Sequence, residues 1–365
     1  MSKKVLRGIM LVAIIVVCAI LYSKTFKAKK TLEVVSWENF YNENNIEFFY
    51  ENSESLNKSL VTKNLNGTYK ISELTANEGN EIAKVLKVTE ILNTIVEYDD
   101  VSETSAVNGY DILREKGTSK KVSGRDMAII ERDLLQSIGF VSRVGEFRKE
   151  DTETESTPSY YVVEYWSNEN NKWVMIDFRN SGYFEKDGVK LSALQVMESN
   201  LKDLSYVGNE VEKSYIKKMK KFMASYTIAI DNTFNMKKSN TYITYTQDKQ
   251  NISLKKGANY ISSTIYTSSN NMFEYAPGFK NEAADSKAYL LIMKKPSKTK
   301  EENPIFIAAA FKDGAVEKES HIKINGEDFV NINMYKEFEL VKGMNTIELI
   351  GENSEVISKI EVKRN

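Results

Sequence analysis

The spacing of apolar residues settles into a different period beyond about Tyr226, and that change limits what the chain can fold into. From Glu78 to about Ser225 apolar side chains recur mainly every three to four residues, as on one face of a helix. Beyond Tyr226 they alternate with a period of two, in short runs such as TYITYT, PIFIAAAF, HIKI and NTIELI separated by Gly, Asn and Lys. The first pattern predicts an amphipathic helix carrying Ile82, Val85, Leu86, Ile91, Leu92 and Ile95, a second over 106–116 ending at Gly117, and a third over 123–138. The third presents Met127, Ile130, Leu134, Leu135 and Ile138 on one side and is closed by Gly139. Strand-like pieces follow at 142–146, 160–165 and 172–177, with a hairpin loop over 166–171, and helical spacing returns over 191–225. Helices followed by an antiparallel sheet define an α+β domain, and the period-two half predicts sandwich architecture.

Within that half, ISLKKGANYI (252–261) matches FELVKGMNTI (338–347) at Leu254/Leu340, Gly257/Gly343, Asn259/Asn345 and Ile261/Ile347. The spacing approximates one small sandwich, so two related β domains are expected, with one larger sandwich as the alternative. SKTKEENP (297–304) reads as an interdomain linker or a long loop.

The first thirty residues carry a separate signal. Gly8 to Tyr22 contains no charge, and counted from Val5 the apolar segment gives a helix about 27 Å long at ~1.5 Å per residue, enough for a hydrocarbon core of roughly 30 Å. Ser-Lys-Thr-Phe-Lys follows without a small-x-small cleavage site, which favours an uncleaved signal anchor through residues 5–22 over a cleaved signal peptide. The rest of the chain is then expected outside the cytoplasm. Residues 31–77 read as linker and entry segment.

Over the 365 residues the formal net charge is -1, so no nucleic-acid partner is expected. HExxH, paired CxxC, Walker and Rossmann glycine patterns are all missing from the sequence, and no cofactor or metal is expected. The Lys217-Lys218 and Lys220-Lys221 run reads as a solvated helix face.

Two stretches, SGRDMAIIERDLLQSIGFVSRVGEF and YYVVEYWSNENNKWVMIDF, carry a recognisable order: Ala128, Leu134, Leu135, Gly139 and Arg143, then Glu164, Trp173 and Asp177. In this order they resemble the transglutaminase-like superfamily, whose papain-like members use Cys, His and Asp. From His321 the chain also resembles bacterial surface Ig-like modules, on HIKINGEDF and YKEFELVKGMNTIELIGENSEVISKIEV. The resemblances imply a papain-like/transglutaminase-like α+β domain over 78–225 and an Ig-like domain over 301–365; the period-two pattern adds a β-sandwich domain over 226–300, and the apolar start a transmembrane helix over 1–30.

Matched residue by residue, the nucleophile's position holds Gly124 and the base's holds Tyr160; Asp177 alone is retained. The sole cysteine, Cys18, lies in the apolar segment and the sole histidine, His321, in the β half, so the chain holds no Cys-His pair near Asp177. Ser123 reads as a helix N-cap, with a weak alternative role as nucleophile, for which Tyr160, Lys120 or Lys121 would have to serve as base far from an ordinary pKa near 10.

The expected protein is therefore a non-catalytic, membrane-anchored surface protein. A former cleft lined by Tyr160, Tyr161, Trp166 and Tyr183 would take an envelope glycan, a peptide or a protein partner. An accessory subunit of a membrane assembly, and a hydrolase or acyltransferase acting on wall peptides with a non-cysteine nucleophile, are the alternatives.

Overall fold

The computed structural model describes residues 32–38, 48–149, 159–199, 201–209, 213–235, 242–246, 264–267, 270–278, 288–294, 305–312, 315–327 and 330–365. The expected membrane segment and residues 252–261 of the internal match lie outside these. Among the described residues no helix is long and apolar enough to cross a membrane.

Helix Gly124–Gln136 is the axis of the first unit. The Ser123 hydroxyl accepts the Asp126 N–H at 3.1 Å to start it, and Gly139, at φ +93°, follows its end. Met127, Ile130, Leu134 and Leu135 pack as expected, but the polar side is buried too. Helix Gly109–Lys116 covers it so closely that a β-carbon on Gly109 would stand 3.0 Å from the Ile130 backbone. Two of the covered acids are well paired: Asp133 accepts the Gly109 N–H and the Arg132 Nε–H, and Asp126 accepts the N–H and hydroxyl of Thr104.

The helix expected over 106–116 therefore begins later. Asn108 caps it, while the carbonyls of Ala106 and Val107 serve Arg125 and Arg132 instead of a helical ladder. Helix Glu81–Ile95 agrees with its predicted stripe. Helices Ser53–Lys58, Leu60–Tyr69 and Ile71–Thr75 occupy much of the expected entry segment, and fully buried Leu65 and Ile71 make it part of this core.

The helices lie on a six-stranded sheet ordered Thr264–Thr267, Tyr242–Tyr245, Ser225–Ala229, Ser142–Arg148, Tyr160–Ser167, Lys172–Ile176, antiparallel except for the first pair. Strands beyond 226, expected to open a separate sandwich, thus extend the α+β sheet. The reason is local: Tyr226 pairs opposite Phe147 and lays its ring over Gly145, where a β-carbon would collide with it. The helical spacing expected over 191–225 is also broken, because Ser205–Gly208 pairs with Gly182–Lys186 between helices Ala193–Glu198 and Lys213–Lys220.

The second unit is a pair of antiparallel sheets. One runs Leu32–Glu38, Val356–Arg364, Gly343–Ile350, Glu319–Ile324, Val330–Asn333; the other joins Tyr289–Lys294, Ile305–Lys312, Ala315–Val316 and Lys336–Glu339. Leu290, Phe306, Ala308, Ile322, Ile347 and Val362 are buried between them by the period-two pattern. One expectation changes. Residues 32–38 are an edge strand of this unit, with Ser36 bonded to Glu361, and not linker. Segment 297–304, expected as an interdomain linker or a long loop, lies outside the described residues, and the strands on either side of it, Tyr289–Lys294 and Ile305–Lys312, pair antiparallel in one sheet. In the Leu340–Asn345 turn, Gly343 adopts φ +98° and the Asn345 side chain bridges Val341 N and O.

Candidate functional site

Three elements aim at one spot. Gly124 opens its helix, Tyr160 opens strand Tyr160–Ser167, and Asp177 follows strand Lys172–Ile176. Asp177 is fixed by reciprocal backbone hydrogen bonds with Gly182, where a β-carbon would strike the Tyr206 ring.

Asp177 is fully buried and accepts from Tyr215 Oη at 2.7 Å, Tyr206 Oη at 3.1 Å, Tyr160 Oη at 3.2 Å and Asn180 Nδ2 at 3.2 Å. Burial raises its carboxyl above the ordinary value, and the bonds from Tyr215, Asn180 and Tyr206 oppose that shift. Burial also pushes the Tyr160 phenol well above its usual range, helped by the Asp177 charge. Tyr160 Oη further contacts Tyr215 Oη. The Tyr160 hydroxyl is thus engaged by both Asp177 and Tyr215.

Between Gly124 and Tyr160 lies Arg179. Its Cζ sits 3.8 Å from the Tyr98 ring centre and 4.7 Å from that of Tyr160. Its Nη2 is 2.5 Å from the point where a β-carbon on Gly124 would stand. Parallel pairing of Glu97–Tyr98 with Lys121–Val122, just ahead of the helix, brings Tyr98 to this spot. Arg179 Nε is buried without a hydrogen-bond partner, and among the described residues no carboxylate comes within ion-pair distance of the guanidinium.

Of the residues expected to bind, Tyr160 and Tyr161 flank this place, Tyr161 approaching the Gly124 β-carbon position at 3.4 Å. Trp166 and Tyr183 do not share it. Six residues along an extended strand is about 20 Å, and Trp166 meets Trp173 edge-on, Trp173 itself lying against Tyr50. Tyr183 packs in the helix-side core. A cleft lined by all four aromatics is therefore not what the fold builds, because alternate and distant strand positions feed separate clusters. Ser123 is buried and spends its hydroxyl on the Asp126 N–H. His321 lies in the second unit, its backbone paired with Asn331 and Ile350.

Arg143 does not neighbour Asp177. It pairs with Glu164 at 2.7 Å, stacks on Trp173 at 4.0 Å and donates to the Phe273 carbonyl, while Glu164 also accepts from Tyr226 Oη and Ala193 N. Arg179, Tyr98, Tyr206 and Tyr215 were not picked out from the sequence. The one available signal was Arg179 two residues beyond Asp177. Among the described residues no group of three or more His, Cys, Asp or Glu could hold a metal.

No protein family and no curated protein matches the chain. Among solved structures it is similar to a proposed cysteine protease from Cytophaga hutchinsonii, at 17% identity and TM-score 0.27 over 40% of this chain and 47% of that one. It is also similar to a proposed protease from Parabacteroides distasonis, at 13% and 0.24 over 33% and 24%. A third likeness is to red sea bream transglutaminase, at 9% and 0.30 over 83% and 59%. The chain spans less than two thirds of each of these proteins. The likeness to structures of transglutaminase-like fold is distant.

Proposed function

We propose that this chain is a non-catalytic, membrane-anchored binding or scaffolding protein of the cell surface, built on a transglutaminase-like domain whose nucleophile and base have been replaced. One observation carries the reading: Arg179 fills the space beside Gly124 into which a nucleophilic side chain would project. Supporting it, Tyr160 is a buried phenol bound to Asp177, and the sequence supplies no Cys-His pair for this place. The Ser123 hydroxyl is occupied in capping its helix, which counts against a serine route. What is left is a rigid aromatic and cationic floor suited to holding a ligand.

The test is an assay of amide hydrolysis and of glutamine-lysine cross-linking on wall peptides and proteins, run beside a binding assay on the same ligands. Binding without turnover is expected. Robust turnover lost in Ser123→Ala overturns the proposal.

A further inference from the structure

Buried polar groups in folded proteins are nearly always hydrogen-bonded, and the buried Nε of half-buried Arg179 is not. Its guanidinium is held by the Tyr98 and Tyr160 rings at 3.8 and 4.7 Å, with Nε buried and unbonded. The nearby Asp177 carboxylate is already taken up by three phenols and an amide. Stacking fixes where the guanidinium stands while leaving its hydrogen-bonding capacity unspent, an arrangement matched to a planar oxyanion.

The surroundings repeat the charge. Tyr160 continues through the Phe222 ring, 5.9 Å away, to Lys149 Nζ, 4.7 Å from that ring. Helix Lys213–Lys220 is docked onto the same floor by the Tyr215–Asp177 bond and by buried Met219. This docking turns Lys217, Lys218, Lys220 and Lys221 to solvent. Neither these lysines nor Lys149 has a carboxylate within ion-pair distance among the described residues. Arg179, Lys149 and the lysines of the 213–221 segment thus place several cations without ion pairs on elements that meet at one aromatic floor.

Resting on the binding reading above, we infer that this face takes an acidic peptide segment, one of whose carboxylates is received by Arg179 while the lysines of the 213–221 segment line its path. A row of cations calls for several negative charges along an extended chain, not one small anion. A lipid surface fits less well, because the apolar residues Tyr215, Ile216 and Met219 face inward and leave the outer face of the helix nothing to insert.

The experiment uses the full chain in nonionic detergent and a fluorescently labelled hexaglutamate peptide, read by anisotropy at several salt concentrations. Binding that weakens as salt rises is expected, with at least a tenfold loss in Arg179→Met and a partial loss in Arg179→Lys, which keeps charge without the planar fork. Replacing Lys217, Lys218, Lys220 and Lys221 together by Gln is expected to flatten the salt dependence. Thermal melting of each variant separates loss of fold from loss of contact. Absence of hexaglutamate binding, or binding that Arg179→Met leaves unchanged in a folded protein, overturns the inference. So does equal Arg179-dependent binding of oligothymidine or of anionic vesicles. None of these outcomes bears on turnover, so the non-catalytic reading stands or falls separately.

Discussion

Arg179 Nη2 and the Cα of Gly124 are packed so closely that no side chain fits between them without moving the guanidinium. The pair explains why this helix starts with glycine, a poor helix former: the missing β-carbon is what admits the arginine. The obstacle is the far end of a flexible side chain, so it can be displaced, and the relationship is measurable as a coupling. Gly124→Ala in the wild-type background is expected to be near neutral, the gain in helix propensity offset by displacement of Arg179. In an Arg179→Ala background the same change is expected to stabilise by up to ~1 kcal/mol. Urea denaturation of the four proteins gives the coupling; strict additivity would mean that the two residues do not touch.

Asp177 holds three tyrosines by their hydroxyls, Tyr160 buried and Tyr206 and Tyr215 half-buried, and its removal takes away their shared acceptor. Asp177→Ala is expected to cost about 3–5 kcal/mol, from unsatisfied buried groups worth ~1–3 kcal/mol each that can partly re-pair. Asp177→Asn, which keeps one acceptor oxygen, is expected to cost less. Denaturation midpoints decide this, and equal losses in the two variants would argue against the hydrogen-bond account.

Glu131 sits fully buried inside its helix layer with Thr89 as its hydrogen-bond partner and Oε2 unbonded, and burial raises its carboxyl from 4.5 to about 8. The neighbouring Arg132 is engaged by Asp133, so no cation offsets the cost of ionising it. The folded state therefore holds a proton that the unfolded chain releases above about pH 4.5. Stability from this group falls as pH rises from about 4.5 toward 8, with a slope approaching ~1.4 kcal/mol per pH unit. In Glu131→Gln that decline should vanish, and an unchanged pH profile would place the titration elsewhere.

The Arg143–Glu164 pair is buried at both ends and shared with Tyr226 and the Ala193 N–H. Arg143→Met or Glu164→Gln alone is expected to destabilise by ~3–5 kcal/mol, since each leaves a buried group uncompensated. The double variant should lose clearly less than the sum, and a melt showing full additivity would deny the pairing.

What the sequence disclosed was local. The Ser123 cap, the stripe Met127–Ile130–Leu134 and Gly139 are each set by a few adjacent residues, and the structure has them where the pattern put them; the hairpin expected over 166–171 is there with a shorter loop, 168–171, because Trp166 and Ser167 stay in the strand opposite Trp173 and Lys172. Convergence of Gly124, Tyr160 and Asp177 was legible only through the family resemblance, because three separate elements supply them. Pairing between distant segments was not legible. Strand Leu32–Glu38 joins the last strand, with Ser36 and Glu361 bonded across 325 positions, and Ser225–Ala229 joins the α+β sheet through Tyr226 and Gly145. Arg179 escaped notice because one arginine in a loop has no periodicity. Its significance lies in the glycine it faces and the acids it lacks.

The account rests on Gly124 and Tyr160 standing where a nucleophile and its base would stand, with Asp177 behind. The most direct measurement is the rate of iodoacetamide alkylation against pH in full-length protein carrying Cys18→Ser, Gly124→Cys and Arg179→Ala, with and without Tyr160→His. Removing the arginine both makes room and takes away the cation that would itself favour a thiolate. The account predicts that adding Tyr160→His moves the midpoint of alkylation from the ordinary thiol value of about 8.5 to below about 7.5, and that Asp177→Asn reverses the shift. A midpoint unmoved by Tyr160→His, or moved only when the histidine is placed at Tyr161, would contradict it.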